Sequence, residues 1–290
     1  MPDPRTYKTA AAFRRAFEER IGRISRAEQI DVNRLRRQAS FDRLLARLFH
    51  RQPAPWALKG GYALELRFQS ARSTIDIDLT VRRLPDDDHD PTQTVREMLQ
   101  EAAAIDLGDW FEYRIGSPVL DLTAAPYGGA RYPVEVLMDR RIFSRFHLDA
   151  GIGDVLMDPL ETRLCRDWLG FAGIEANEVA MIPREQQAAE KIHAYTLPRV
   201  TPNSRVKDLL DLALLIGSGD LDEARLRNAL QLTFNRRNTH ELPSVLEPPP
   251  AEWQIPFEAI ARECGVSTDL ALVFAQVREY LESIISKSPQ

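Results

Sequence analysis

The chain has 290 residues, of which 44% are hydrophobic and 28% are charged, and its formal net charge is −5. This composition is typical of a globular protein and excludes a disordered or collagen-like chain. No run of residues reaches the roughly 18–20 consecutive apolar side chains that a membrane-spanning helix requires, so we expect no membrane partner.

The N-terminal segment and the cysteines indicate a cytoplasmic protein. The stretch "MPDPRTYKTAAAFRRAFEER" contains acidic side chains and no apolar core segment, so it does not predict a secretory signal. The two cysteines, Cys165 and Cys264, lie far apart and match no metal-binding spacing. We therefore expect a reducing, cytoplasmic compartment.

Positive charge is concentrated near the N-terminus. Residues 1–83 contain 18 Lys and Arg against 9 Asp and Glu, a net charge of +9, whereas residues 84–290 contain 20 against 34, a net charge of −14. This asymmetry favours either a nucleic-acid-binding face or two solvated helices. The segment "DVNRLRRQASFDRLLARLFHRQ" predicts a helix whose arginines lie largely off its apolar stripe and could bind RNA: Arg34, Arg37, Arg43, Arg47 and Arg51.

The pattern of the remaining chain predicts an α+β lobe followed by helices. An amphipathic helix is expected from about Thr9, and Gly60-Gly61 opens a short helix before the strand "STIDIDLTV". A helix starting near Thr92 and three strands within residues 110–139 complete the lobe. After about residue 160 only helices are predicted, one of them capped by Ser204, which gives domains of 1–165 and 166–290.

Two carboxylates lie one residue apart on the strand "STIDIDLTV". Residues i and i+2 of a strand point to the same face, so Asp76 and Asp78 project side by side. Two adjacent carboxylates repel unless a cation lies between them. Mg²⁺ or Mn²⁺ with substrate phosphate and water would complete such a site, although a solvated strand face is the alternative.

Residues that favour phosphate binding flank this strand. Gly60 and Gly61 place backbone N–H groups at a helix N-terminus, where an anion is stabilised. Lys59 precedes them and adds a positive charge. Ser73 and Thr74 place hydroxyl groups directly before the carboxylates.

The order of these motifs resembles that of the AbiEii-type, MenT-like toxins of the polymerase-β-like nucleotidyltransferase superfamily. The matching segments are Gly60-Gly61, Thr74 to Asp78, "AAEKIHA" with Lys191, and "RVKDLLD" with Lys207 and Asp208. The resemblance covers about residues 55–216. It implies a mixed-sheet nucleotidyltransferase lobe followed by an α-helical lobe.

The resemblance also implies roles for individual residues. Asp76, Asp78, Lys191 and Asp208 would be catalytic, and Lys59, Gly60, Gly61, Ser73, Thr74 and Lys207 would bind the nucleotide. The superfamily uses a third strand carboxylate as metal ligand. Glu135 in "RYPVEVLMD" is the first candidate, Asp139 and Asp121 are alternatives, and an exposed strand glutamate without function is a further interpretation.

The implied reaction is Mg²⁺-dependent transfer of a nucleoside monophosphate from an NTP to an RNA acceptor. The tRNA 3′ end is the expected acceptor, the consequence is inhibition of translation, and a cognate antitoxin is the expected protein partner. Transfer to a protein or small molecule is one alternative, and a non-catalytic nucleotide-binding regulator is another. Phosphorylation of Thr74 or Ser73 would add negative charge beside the phosphate site, so we expect it to inactivate the protein.

Overall fold

The computed structural model describes residues 7–68, 70–84, 90–122, 125–200 and 203–286. Within these ranges the α-helices are α1 (Ala10–Glu28), α2 (Val32–Leu48), α3 (Gly60–Arg67), α4 (Pro91–Ala103), α5 (Arg184–Thr196), α6 (Val206–Gly217), α7 (Glu223–Arg237), α8 (Gln254–Cys264) and α9 (Leu270–Ser286). The strands are β1 (Trp56–Lys59), β2 (Asp76–Val81), β3 (Glu112–Ile115), β4 (Leu120–Asp121), β5 (Gly129–Met138), β6 (Arg141–Ile152), β7 (Glu161–Leu164) and β8 (Glu178–Met181). The predicted combination of a mixed sheet and helices is confirmed. None of the described helices is long and apolar enough to span a membrane.

The described strands form one mixed sheet in the order β3-β5-β6-β2-β1-β8-β7, with β4 also paired to β5. β1 pairs antiparallel with β2, and β5 pairs antiparallel with β6. β2 pairs in parallel with β6, and β1 in parallel with β8. The parallel pairing of β2 with β6 brings residues that are 71 positions apart in the chain, such as Asp78 and Asp149, to neighbouring places on one face.

The chain divides into two compact units. The first comprises residues 1–62, 73–153 and 162–181, and it contains most of the sheet with α1, α2 and α4. The second comprises residues 63–72, 154–161 and 182–290, and α5 to α9 enclose its apolar core. Residues 162–181 thus belong to the first unit, beyond the predicted boundary after residue 165.

The first two helices form where the sequence predicts them. The Thr9 hydroxyl accepts a hydrogen bond from the Ala12 N–H and caps α1, and Asp31 caps α2 in the same way. Phe13, Phe17 and Ile21 recur at helical spacing and are buried, so α1 packs through one apolar face.

Three strands and two helix starts differ from the sequence prediction. β6 was not predicted; a β-bulge near Phe143 interrupts the alternation of apolar residues at its start, and the alternation is regular from Phe146 onward. β7 and β8 follow residue 160, where only helices were expected. α4 is capped by Asp90 with Pro91 in its first turn, and the N-cap of α6 is Arg205, not Ser204.

A buried carboxylate of α2 fixes the start of α3. Asp42 accepts hydrogen bonds from the Tyr62 hydroxyl at 2.5 Å and from the Trp168 Nε1 at 2.6 Å. Burial raises the pKa of Asp42 to about 6, although both hydrogen bonds oppose the rise. Tyr62 follows Gly60-Gly61 directly, so this contact holds the first turn of α3 in place.

The raised pKa predicts a pH-dependent stability difference between the wild type and Asp42→Asn. Between pH 3.8 and about 6, Asp42 binds a proton in the folded state but not in the unfolded chain. Stability of the wild type relative to the variant should therefore fall by about 1 kcal/mol between pH 5 and 7, and level off above. Urea unfolding of both proteins measures this difference; a constant or rising difference contradicts the assignment.

Candidate active site

Four charged side chains form a row across four adjacent strands of the first unit. Lys59 on β1 is the cross-strand partner of Asp78 on β2, which is the partner of Asp149 on β6, which is the partner of Arg131 on β5. Direct cross-strand partners point to the same face of a sheet. We call these four residues the charge row, and its two carboxylates lie between its two cations.

Asp76 lies beside the charge row, two residues before Asp78 and on the same face of β2. The Thr74 hydroxyl donates a hydrogen bond to Asp76 Oδ1 at 3.1 Å. On the other side, Arg131 Nη2 lies 3.4 Å from Asp76 Oδ2. Three carboxylates, those of Asp76, Asp78 and Asp149, are thus brought together on one face.

Arg131 compensates much of this negative charge. Its Nε and Nη2 each donate to one oxygen of Asp149 at 2.7 Å, a bidentate ion pair. This hydrogen bonding and the charges of Asp149, Asp76 and Asp78 raise the pKa of Arg131 above its ordinary value. The guanidinium therefore remains charged beside the carboxylates.

The structure places Asp149, and not the predicted Glu135, beside Asp76 and Asp78. Glu135 lies opposite Arg145 and pairs with it at 2.8 Å, four residues along β5 from Arg131. At about 3.3 Å per residue this places it roughly 13 Å along the strand from the charge row. Glu135 is therefore remote from Asp76 and Asp78.

The two alternative carboxylates also lie elsewhere. Asp139 lies in the β5–β6 turn with a φ of 55° and pairs with Arg141 at 2.5 Å. Asp121 is exposed on β4. The signal that could have identified Asp149 is a lone acidic residue in "FHLDAGI", where apolar residues alternate as in a strand.

Gly60 is required by its contact with Asp78. It adopts a φ of +67°, and a Cβ at this position would lie 1.9 Å from Asp78 Oδ2. No side chain fits there without displacing the carboxylate. The start of α3 therefore determines where Asp78 can point. Gly61, the next residue of α3, is buried.

The donor set fits a divalent cation held by two carboxylates. Among the described residues, no three Asp, Glu, His or Cys side chains lie close enough to hold a metal ion together. Mg²⁺ is commonly bound by one or two carboxylates, with substrate phosphates and water in its other positions. Asp76 and Asp78 meet that requirement, while both oxygens of Asp149 accept hydrogen bonds from Arg131.

Arg37 of α2 binds the segment that precedes the carboxylates. Its Nη2 donates to Ser73 Oγ and its Nε to the Thr74 carbonyl oxygen, both at 2.9 Å. Thr74 is buried, and Ser73 is half-buried. Arg37 therefore anchors the residues that lead into β2, whereas the sequence analysis assigned it to RNA binding.

Two further predicted RNA-binding arginines are buried, which corrects that assignment. Arg43 and Arg47 are 4% and 2% exposed and both pair with the fully buried Asp109 at 2.5–2.7 Å. Their guanidinium groups cannot reach an RNA backbone. Arg51 is exposed and pairs with Glu101, and Arg34 is half-buried.

In the second unit, Lys191 of α5 lies in a buried ion cluster. Its Nζ donates to Asp211 at 2.6 Å and to Asp208 at 3.2 Å, and Arg72 pairs bidentately with Asp211. Burial alone would lower the pKa of Lys191, but the two carboxylates raise it above its ordinary value. Lys207 is exposed on α6.

Comparison with known proteins identifies the family. The family model described as "Nucleotidyl transferase AbiEii toxin, Type IV TA system" matches residues 43–283. The chain belongs to this AbiEii family. The predicted resemblance is therefore confirmed, and the protein is a nucleotidyltransferase toxin of a type IV toxin–antitoxin family. A search of curated protein sequences finds no match.

One solved structure supports the fold of this AbiEii-family chain, and a second is reported as a weaker likeness. MenT4, a nucleotidyltransferase toxin from Mycobacterium tuberculosis, aligns with a TM-score of 0.55 at 16% identity, over 93% of this chain and 98% of that one. JHP933 from Helicobacter pylori aligns with a TM-score of 0.44 at 14% identity, over 90% and 100% of the two chains. At such low identities, similarity to MenT4 concerns the fold alone.

Substitution of Gly60, compared with a control glycine, should show whether activity depends on its contact with Asp78 or only on its left-handed backbone conformation. Gly60→Ala should lower nucleotide transfer about 100-fold, because the new Cβ displaces the Asp78 carboxylate. Gly108→Ala is the matched control, since Gly108 has a φ of +65° but no neighbour within 4 Å of a Cβ. Assays of nucleotide transfer by both variants test this prediction. Equal losses of transfer would contradict a specific role for the contact with Asp78.

The buried cluster predicts unequal effects of two substitutions on α6. Asp211→Asn should lower the free energy of unfolding by about 3–5 kcal/mol, because it leaves Arg72 without its buried carboxylate. Asp208→Asn should cost about 1–2 kcal/mol, since Lys191 retains Asp211. Urea unfolding measures both values, and the reverse order would refute a structural role for Asp211.

Proposed function

We propose that this AbiEii-family toxin transfers a nucleoside monophosphate from an NTP to an RNA acceptor, the 3′ end of a tRNA being the first candidate. The observation that carries the proposal is the convergence of Asp76, Asp78 and Asp149 on one sheet face beside the N-terminus of α3. Phosphoryl transfer requires mainly positioning and charge neutralisation, and such a face can supply both.

Asp76 and Asp78 would hold a Mg²⁺ or Mn²⁺ ion. When bound, such an ion neutralises the charge that develops on the transferred phosphoryl group. The chain's own residues set the geometry: Gly60 restricts Asp78, and Thr74 orients Asp76 through its hydrogen bond. A carboxylate of this group would accept the proton of the attacking hydroxyl.

Several residues are proposed to bind the triphosphate. Gly60 and Gly61 are the first two residues of α3, so their N–H groups lie at its N-terminus. Lys59 directly precedes them in the chain and belongs to the charge row. The family resemblance adds Ser73, Lys191 and Lys207, and it gives Asp208 the role of orienting Lys191. Lys191 and Asp208 form an ion pair in the second unit, so we expect the loss of either to reduce transfer.

An RNA acceptor is supported by the charge of the first 83 residues, which is +9. With Arg43 and Arg47 buried, the exposed arginines of α1 take their place as candidates for backbone contacts: Arg15, Arg23 and Arg26. Binding of this kind depends on charge and weakens as salt increases. Blocked tRNA 3′ ends would inhibit translation.

Control by phosphorylation remains part of the proposal, with Ser73 as the more accessible hydroxyl. The Thr74 side chain is buried and bonded to Asp76, whereas Ser73 is half-buried and bonded to Arg37. A phosphate on Ser73 would bring negative charge to the residues that directly precede β2 and its carboxylates. We expect it to inactivate the toxin.

Incubation of the protein with each α-labelled NTP, Mg²⁺, total tRNA and total cell protein tests the proposal. Label should enter tRNA and should be lost with Asp76→Asn, because the variant removes a metal-binding carboxylate. Asp121→Asn, which removes an exposed carboxylate of β4, should retain full activity. Label in protein or small molecules alone would refute the RNA acceptor, and absence of any Mg²⁺-dependent transfer would indicate a nucleotide-binding regulator.

A further inference from the structure

We propose that the guanidinium of Arg131 occupies the place of a second metal ion, so that the carboxylate face takes one divalent cation, at Asp76 and Asp78. The inference rests on the proposed function, because it concerns the cation that nucleotide transfer would use. It concerns a residue to which the sequence motifs assign no role.

The contacts of Arg131 are those of a bridging cation. It donates to both oxygens of Asp149 on β6 at 2.7 Å, and its Nη2 lies 3.4 Å from Asp76 Oδ2 on β2. Active sites with two divalent ions hold them about 3.5–4 Å apart between shared carboxylates. A single guanidinium here links two of the three carboxylates that a metal pair would need.

Displacement of Arg131 by a metal ion would be costly. The Asp149 side chain is 12% exposed, and both of its oxygens accept hydrogen bonds from Arg131. A second ion that binds Asp149 would have to break this bidentate pair, whose carboxylate is largely buried although Arg131 is 30% exposed. The remaining ligands, Asp76 and Asp78, are then available to the first ion alone.

The backbone holds Arg131 in register on both sides. β5 pairs antiparallel with β6 from Gly129 to Met138, and Arg131 is also the cross-strand partner of Leu120 on β4. The residue lies within a strand paired on both edges, not in a loop. The backbone of Arg131 is therefore held in the sheet directly beside Asp149.

Charge balance also favours one ion. The carboxylates of Asp76, Asp78 and Asp149 face the cations Lys59 and Arg131, which leaves a net charge of −1 on these five side chains. One divalent ion changes this to +1, which suits an incoming anionic phosphate. In the absence of nucleotide, two would give +3, so the second ion would bind against a net positive charge.

Mn²⁺ binding to the full chain, followed by electron paramagnetic resonance and titration calorimetry, tests the inference. The wild type should bind one Mn²⁺ that Asp76→Asn abolishes, with the spectrum of an isolated ion. Arg131→Gln should bind a second Mn²⁺ and give the spectrum of a spin-coupled pair, because Asp149 becomes available. Arg131→Lys retains a cation and should bind one.

Arg145→Ala is the matched control, since it removes an arginine–carboxylate pair from the same two strands without touching the charge row. It should bind one Mn²⁺ as the wild type does, and thermal unfolding verifies that each variant folds. A coupled Mn²⁺ pair in the wild type, or a single unchanged ion in folded Arg131→Gln, would overturn the role of Arg131 while leaving the proposed function intact. Absence of any Mn²⁺ that depends on Asp76 would instead refute the metal site of the proposed function, and with it this inference.

Discussion

The parallel pairing of β2 with β6 is the constraint on which the candidate site depends. It places Asp78 beside Asp149, and the antiparallel partners of these strands add Lys59 on one side and Arg131 on the other. Carboxylates at such short range repel, and burial increases the cost. The fold offsets that cost within the same row, because each carboxylate has a cation on the adjacent strand.

The same principle recurs at other buried acids of the chain. Asp109 is fully buried between Arg43 and Arg47, and Asp211 is fully buried between Lys191 and Arg72. Each pairing stabilises its own unit, and removal of one partner would leave a buried charge uncompensated. The charge row differs, because Asp76 lies beside it and gives this face three carboxylates against two cations. That excess negative charge is what a divalent ion would neutralise.

Local patterns were sufficient to predict part of the site. Period-two alternation placed Asp76 and Asp78 on one face. The Gly-Gly pair predicted a helix start that could bind phosphate, whereas the close contact of Gly60 with Asp78 appears only in the structure. Contacts distant in the chain were not predictable in this way. Asp149 was missed because its place beside Asp78 depends on the pairing of β2 with β6, which are far apart in the chain, and Arg47 resembled a surface residue because Asp109 lies 62 positions away.

Nucleotide transfer by Asp149→Asn and Glu135→Gln tests the account most directly. The two residues lie on the same strand pair, and each is bound by an arginine, Arg131 or Arg145. The account predicts that Asp149→Asn loses transfer, because Arg131 loses its charged partner and the charge row is disrupted. Glu135→Gln should retain it. An active Asp149→Asn variant and an inactive Glu135→Gln variant would contradict the assignment of the site to the charge row.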